Sequence, residues 1–378
     1  MKTALKLLAA GLVASVAMSA RAELTIGVVV SLTGPASGLG IPVNNGFKLW
    51  PDTIGGEKVK MIVLDDATDP STGVKNARRL VTEEKVDVIL GSSTTPISVA
   101  MAEVAAESGT LQIALSPPPL PPGKDTWTFR MAHSATVIAY PMVAHMKKQG
   151  VKTVGFLGYI DAYGESWLKE FGAVAEAAGL KVTTVERFQR TDTSVTGQAL
   201  KLVAANPDAI LVVASGSGAA MPHRALVERG YKGKIYQTHA AASRDLMRVG
   251  GKDVEGGYVV SGPATVAEQL PDSNPSKKAA LDYVQKYDKV YGAGMRNQFA
   301  AHSYDTLLVL QKVVPMALQK AKPGTKEFRA ALRDAMENFG PLPISQGVMN
   351  FTKTDHWGYT KDSAVVLKVV NGDWEVQQ

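Results

Sequence analysis

Short apolar segments rich in β-branched residues alternate with segments of helical periodicity along most of the chain. The apolar segments include 24–32, 59–64 (VKMIVL) and 209–214 (AILVVA), and 71–84 has helical spacing. A strand, a helix and a further strand form the unit of a parallel sheet with helices on both faces. The alternation stops at a proline-rich stretch, 116–123, which cannot be a central strand. It then restarts, so we expect an α/β protein with two lobes.

The first 22 residues have the features of a secretory signal peptide. Lys2 and Lys6 give a positive start, 7–17 is apolar, and Ala20-Arg21-Ala22 supplies small residues at the −3 and −1 positions of a cleavage site. The apolar run is shorter than the roughly 20 residues that cross a bilayer. We therefore expect export and cleavage after Ala22.

The amino-acid composition excludes several kinds of metal site and argues against a nucleic-acid partner. The absence of cysteine excludes disulfides, zinc–thiolate sites, iron–sulfur clusters and thiol nucleophiles. No two of the six histidines lie three to five residues apart, so we expect no metal and no cofactor. Residues 1–22 hold three of the 41 basic residues; without them the net charge falls from +6 to +3. The remaining basic residues are scattered, which indicates a solvated surface rather than a nucleic-acid interface.

The sequence carries none of the common enzyme signatures. We find no G-x-S-x-G elbow, phosphate-binding loop, H-E-x-x-H or G-x-G-x-x-G after the first strand. Asp65 and Asp66 are adjacent at the end of a strand, so they point to opposite faces and form no acid–base pair. We therefore expect no catalytic residues.

Hydroxyl side chains cluster where a ligand is expected. Ligands of open α/β sheets bind beyond the carboxyl ends of the strands. The predicted strand 86–90 is followed by Ser92, Ser93, Thr94 and Thr95, and then by Pro96, which suits the first helical turn. A helix N-terminus favours an anion, so this cluster predicts a carboxylate site. The alternative is ordinary helix capping.

Three other loops follow predicted strands in the second half of the chain. Tyr163 lies beyond strand 153–157, Ser215 begins a Ser-Gly-Ser-Gly loop, and His239 follows strand 234–237. Each has a structural alternative: a tyrosine packed on its own helix, a flexible turn and a buried structural histidine.

Several short motifs stand in a characteristic order and spacing between about 24 and 310. They are Ile26-Gly27 with Ser31-Leu32-Thr33-Gly34-Pro35, then Asp65-Asp66-x-x-Asp69-Pro70, 92–96, Phe129-Arg130, Tyr163-Gly164-Glu165 and Tyr304-Asp305. Together they resemble the periplasmic leucine/isoleucine/valine-binding proteins, the type I solute-binding components of ABC importers. The resemblance implies two Rossmann-like αβ lobes with parallel central sheets, which are joined by three crossovers and close on a solute.

The resemblance also implies lobe boundaries. It places 23–133 and 263–346 in the first lobe and 134–262 and 347–378 in the second, with crossovers near 132–135, 262–264 and 346–349. Residues 1–22 remain as the signal peptide.

The resemblance assigns ligand contacts position by position. The cluster 92–94 matches the segment that binds the ligand carboxylate. Leu39 falls in a first-lobe loop where relatives often carry an aromatic residue. Tyr163 and Phe299 match pocket aromatics, and Ser215 falls at another pocket tyrosine position.

Two departures argue against an α-amino acid as the ligand. Amino-acid binders follow the next strand of the first lobe with small residues and a threonine, but this chain has Ser116-Pro117-Pro118-Pro119. They place an acidic residue against the α-ammonium group, but this chain has His239, and an unpaired buried ammonium is costly. A pocket with Pro118, Tyr163 and Phe299 suits a flat aromatic or hydroxyaromatic acid, for which Ser215 leaves room.

The expected function is therefore capture of a small carboxylate in the periplasm and its delivery to the transmembrane permease of an ABC importer. We expect a monomer. The alternatives are a branched-chain amino acid binder with another ammonium partner, a sensor of the same fold, and a secreted hydrolase, which the missing nucleophile motif disfavours.

Overall fold

A computed structural model describes residues 23–377, so the predicted signal peptide lies outside the described residues. The described chain forms two lobes, each built on a mostly parallel sheet flanked by helices, as the alternation predicted. The longest helix or strand that the sequence pattern does not predict is the helix at Ser37–Phe47.

The first lobe contains a six-stranded sheet. Its strands are β1 (Leu24–Val30), β2 (Thr53–Ile54), β3 (Glu57–Asp65), β4 (Val88–Gly91), β5 (Leu111–Ala114) and β6 (Thr128–Arg130), in the order β2-β3-β1-β4-β5-β6. Only β2 pairs antiparallel, with β3. The helices of this part of the chain are α1 (Ser37–Phe47), α2 (Pro70–Thr82) and α3 (Thr95–Ser108). The apolar strand β1 lies inside the sheet between β3 and β4 and is buried along nearly its whole length.

The chain then enters the second lobe. Its strands are β7 (Thr153–Tyr159), β8 (Lys181–Phe188), β9 (Ala209–Val213), β10 (Lys234–Gln237) and β11 (Tyr258–Ser261). Its helices are α4 (Ala135–Lys148), α5 (Ala162–Ala177), α6 (Thr196–Ala205), α7 (Ala220–Glu228) and α8 (Arg244–Gly250). Short 3-10 turns occupy Gly216–Ala219, His239–Ala241, Gly251–Val254 and Pro263–Gln269.

The last part of the chain returns to the first lobe and then completes the second sheet. Three helices follow, α9 (Lys277–Tyr291), α10 (Gln298–Leu318) and α11 (Lys326–Met336), and then the hairpin of β12 (Leu342–Ile344) and β13 (Gly347–Met349). The final strands, β14 (Val365–Val370) and β15 (Asp373–Gln377), pair antiparallel at one edge. The second sheet has the order β15-β14-β11-β10-β9-β7-β8.

Buried polar groups tie together the segments that connect the lobes. The Nε2 atom of His133 lies 2.9 Å from the carbonyl oxygen of Gln346, and its ring stacks on Tyr359 with centroids 3.8 Å apart. The Tyr359 hydroxyl donates to the Met131 carbonyl. The buried carboxylate of Asp305 accepts the backbone N–H of Ser345 at 2.7 Å and that of Gln346 at 3.1 Å. The connection between the lobes is therefore a hydrogen-bonded unit rather than a set of loose linkers.

Across residues 23–377, no helix combines the length and apolar character that crossing a membrane requires.

Candidate ligand-binding site

A cavity lies between the two lobes, where the carboxyl ends of strands from both sheets face each other. The first lobe lines it with Leu39, Ser93, Thr94, Pro117, Phe299 and His302, among others. The second lobe lines it with Tyr163, Arg190, Ser215, His239 and Ala240. Seven of the nine residues predicted to contact ligand line this cavity; Ser92 and Pro118 do not. Leu39, expected in a loop, lies in the first turn of α1.

The hydroxyls between β4 and α3 have different partners. Ser92 Oγ donates to the buried Asp66 carboxylate at 2.6 Å, which explains why Ser92 does not line the cavity. Ser93 Oγ accepts the backbone N–H of Ser31 at 3.2 Å. Thr94 occupies the N-cap position of α3, but its hydroxyl makes no capping bond, and its buried Oγ1 has no hydrogen-bond partner among the described residues. The hydroxyl of Thr94 is therefore available to a ligand.

Prolines wall the cavity beside this hydroxyl cluster. Pro117 lines the cavity, whereas the carbonyl of Pro118 accepts the Nε–H of buried Arg130 at 2.9 Å. Ser116, which also lines the cavity, shares a hydrogen bond with Ser98 at 2.8 Å between their Oγ atoms. Pro118 thus holds the loop in position, and Pro117 presents the apolar surface.

Histidines supply neutral polar groups at the cavity. Burial lowers the pKa of His302 to about 3, and it lowers the pKa of His239 well below its usual range, with His133 and His302 adding to the effect. His239 Nδ1 and Gln298 Nε2 are buried without hydrogen-bond partners among the described residues. A ligand that carries its own hydroxyl or carbonyl group could satisfy them.

The hydroxyl of Tyr163 is already engaged, although the residue lines the cavity. It lies 2.6 Å from Thr238 Oγ1, and burial raises its pKa. The ring centroid of Tyr163 lies 6.2 Å from that of His239. Tyr163 therefore offers a ligand its ring face more than its hydroxyl.

Arg190 is a cavity residue that the sequence reasoning missed. It follows the carboxyl end of β8, so the rule that located Tyr163 and His239 applies to it equally. Its Nε donates to Asp161 Oδ2 at 2.6 Å and one terminal nitrogen donates to Ser215 Oγ at 2.9 Å. Gln298 and His302 were also missed; they flank Phe299 on α10, one and three residues away.

The space enclosed between the lobes is small in this structure. It amounts to about 20 Å³, roughly enough for one water-sized sphere, whereas a cavity that accepts benzene is about 150 Å³. A ring-bearing ligand therefore requires the lobes to part or the lining side chains to move. Within residues 23–377, no group of three or more histidines, aspartates or glutamates is placed to hold a metal ion.

The described residues form two αβ lobes with a cavity between them at the carboxyl ends of their strands, which is the architecture of a two-lobed ligand-binding protein. The chain belongs to the periplasmic binding protein family, whose model matches residues 23–372. This match confirms the family resemblance, and the two sheets confirm the two-lobed α/β fold. Members of this family are solute-binding receptors rather than enzymes.

Relatives and solved structures agree with this assignment. The Leu/Ile/Val-binding protein BraC3 of Rhizobium johnstonii is 26% identical over 364 residues, with 93% of this chain and 94% of that protein covered. An extracellular ligand-binding receptor from Rhodopseudomonas palustris is 49% identical with a TM-score of 0.93, covering 95% of this chain and all of that one.

More distant structures share the fold but differ in ligand. A leucine-binding protein from Thermotoga maritima is 23% identical, with a TM-score of 0.82 and coverage of 94% and 98%. A solute-binding protein of an ABC transporter from R. palustris, in complex with benzoate, is 18% identical, with a TM-score of 0.80 and coverage of 94% and 95%. At this distance the likeness concerns the fold alone.

Proposed function

We propose that this receptor captures an aromatic or hydroxyaromatic carboxylate and delivers it to the permease of an ABC importer. One observation carries the proposal: the side chains of residues 23–377 that line the cavity include a guanidinium and no carboxylate. The charge of the cavity therefore suits an anion, and an ammonium group inside it would have no acidic partner. Burial of an unpaired ammonium costs several kcal/mol, about what separates a good ligand from a poor one.

The first lobe supplies the polar side of the proposed site. The free hydroxyl of Thr94 and the first residue of α3, Thr95, both line the cavity. Both favour a carboxylate, the hydroxyl as a donor and the helix through its dipole.

Flat apolar surfaces support an aromatic body for the ligand. Pro117, Phe299 and the ring of Tyr163 line the same cavity. The far end of the ligand would meet the unpartnered His239 Nδ1 and Gln298 Nε2, for which a ring hydroxyl is a suitable partner.

The second candidate is a branched-chain amino acid. The name of the relative BraC3 and the leucine-binding neighbour favour it. It would need another partner for the α-ammonium, such as the neutral ring of His239 acting as an acceptor.

We also propose export to the periplasm with cleavage after Ala22 and a monomeric state. The lobes, 23–133 with 263–346 and 134–262 with 347–378, would then close on the ligand as rigid bodies. A receptor that responds by closure is compatible with transport and with sensing, and the family favours transport.

Calorimetric titration distinguishes the two ligand classes. The panel is benzoate, 4-hydroxybenzoate, 3,4-dihydroxybenzoate, trans-cinnamate, leucine, isoleucine and valine. We expect at least one aromatic acid to bind at least 100-fold more tightly than any of the amino acids, because a buried unpaired ammonium costs several kcal/mol. Micromolar binding of leucine with no response to the aromatic acids would overturn the proposal and favour the second candidate.

A further inference from the structure

We infer that Arg190 is the second lobe's partner for the ligand's anionic group, so that the carboxylate is held between Thr94 of one lobe and Arg190 of the other. The inference rests on the proposed function in that it assumes a carboxylate ligand. The inference makes Arg190 a residue that determines specificity. It also means that the negative charge of the ligand holds the two lobes together.

The position of Arg190 is the first argument. A second cavity of about 250 Å³ opens outward beside the central one, with Pro96 and Ile97 on the first lobe and Tyr159 and Ile160 on the second. Thr94 and Arg190 line both cavities. They therefore lie on opposite lobes at the junction between the central cavity and its mouth.

Charge is the second argument. Among the residues that the structure describes, Arg190 is the only charged one that lines the central cavity. Its ion-pair partner, Asp161, lines the outer cavity alone, and the Asp161 carboxylate also accepts the backbone N–H groups of Tyr163 and Gly164 at the start of α5. The charge of Asp161 is therefore shared between the guanidinium of Arg190 and the positive end of the α5 dipole. The potential around Arg190 remains favourable to a further anion.

The remaining donors of the guanidinium are the third argument. A guanidinium has five N–H groups, and here Nε–H bonds Asp161 while Nη1 bonds Ser215. The Nη2 atom has no hydrogen bond to another described residue. Arg190 thus keeps donors for a carboxylate, and planar two-point binding of carboxylates is characteristic of arginine.

Preorganisation is the fourth argument. The guanidinium carbon lies 4.1 Å from the centroid of the Tyr159 ring, and the side chains of Arg190 and Asp161 are only 14% and 22% exposed. Stacking on the Tyr159 ring and hydrogen bonds from two of its nitrogens fix the plane of the guanidinium before a ligand binds. A ligand therefore pays little ordering entropy at this contact.

Substitution of Arg190 tests the inference on the full mature chain. The probe is the compound of the panel above that binds the unmodified protein most tightly. Because a hydrogen bond to a charged group contributes about 10- to 100-fold in affinity, Arg190→Gln should weaken binding by that factor. Arg190→Lys keeps the charge and should recover part of the loss, and thermal melting should show that both variants fold.

Arg187→Gln is the matched control. Arg187 lies at the end of β8, pairs with Glu165 and lines neither cavity. We expect its affinity to stay within twofold of the unmodified protein. An unchanged affinity in folded Arg190→Gln, or an equal loss in the glutamine and lysine variants, would overturn the inference.

The design separates this inference from the proposed function. Leucine also carries a carboxylate, so the Arg190 series is performed with leucine if leucine proves to be the ligand. Preference for leucine contradicts the proposed function, whereas indifference to Arg190, with either ligand, contradicts the inference.

Discussion

Ser92 and Thr94 are close in the sequence, but only the hydroxyl of Ser92 has a hydrogen-bond partner within the described residues. Ser92 Oγ is committed to Asp66, which also accepts the hydroxyl of Ser31 at 2.6 Å. The Thr94 hydroxyl is buried and has no hydrogen-bond partner among the described residues. The sequence shows only a row of hydroxyls; which one is free depends on Asp66, 26 residues away from Ser92.

This difference predicts opposite effects for two substitutions. Ser92→Ala removes a donor from a buried carboxylate and should lower the free energy of unfolding by about 1–3 kcal/mol, with little effect on ligand selectivity. Thr94→Val replaces an unpaired buried hydroxyl with a methyl group and should leave stability equal or higher, while it weakens carboxylate binding about tenfold. Urea denaturation and calorimetry measure the two effects. Equal affinity of Thr94→Val and the unmodified protein would mean that the Thr94 hydroxyl does not contact the ligand.

At the scale of elements, the sequence predicts those with strong periodicity and misses those formed by tertiary contacts. The strand β10 has the predicted bounds, 234–237. The sequence SGLGIPVNNGF of α1 contains glycines, a proline and asparagines, which are poor helix formers. It is helical because it packs on α10, with the Ser303 hydroxyl donating to the Val43 carbonyl at 2.6 Å. That contact joins residues 260 apart in sequence.

The packing of α1 on α10 depends on a close approach at Gly46. A Cβ atom at Gly46 would lie 2.7 Å from Ser303 Cβ and 2.9 Å from the Ala300 carbonyl oxygen. Gly46→Ala should therefore force the helices apart and lower the free energy of unfolding by about 1–3 kcal/mol. Because α1 carries Leu39 and α10 carries Phe299 and His302, ligand affinity should fall as well.

Gly172→Ala is the control for this substitution. Gly172 lies inside α5, and a Cβ atom there would have no neighbour within 4 Å. Alanine stabilises a helix interior by about 0.5–1 kcal/mol relative to glycine, so this variant should be equal or more stable. Urea denaturation of the two variants side by side gives the comparison. Equal stability changes in both would show that the α1–α10 contact is not tight.

At the scale of the whole molecule, ionisable groups are buried both inside the lobes and where the lobes connect. Burial raises the pKa of the Asp305 carboxyl to about 7, although the backbone N–H groups of Ser345 and Gln346 oppose the shift. Burial lowers the pKa of His133 and of His223 to about 4, and that of His302 to about 3. The positions of the histidines can be read from the sequence but their burial cannot, because the residues that enclose each ring come from other segments of the chain.

These shifts act on stability with opposite signs. The histidines are neutral in the folded protein, so their contribution is present above pH 6.5 and is lost as the pH falls toward 4. Asp305 is protonated more readily when folded, so its contribution is present below pH 3.8 and is lost as the pH rises toward 7. The summed contribution of several histidines to the free energy of unfolding exceeds that of one carboxyl. The unmodified protein should therefore be most stable near neutral pH and lose stability in acid.

Asp305→Asn isolates the carboxyl at the connection between the lobes. The difference in unfolding free energy between the unmodified protein and this variant should fall by about 1.4 kcal/mol per pH unit as the pH rises from 5 toward 7, and should level off above the pKa of Asp305. Asp69→Asn is the control: Asp69 is an exposed helix cap whose pKa is lowered by the N–H and hydroxyl of Thr72, so its effect should stay constant from pH 5 to 8. Urea denaturation at pH 5, 6, 7 and 8 provides the four points. A pH-independent difference for Asp305→Asn would mean that the carboxyl is ionised throughout and that the backbone N–H groups of Ser345 and Gln346 outweigh its burial.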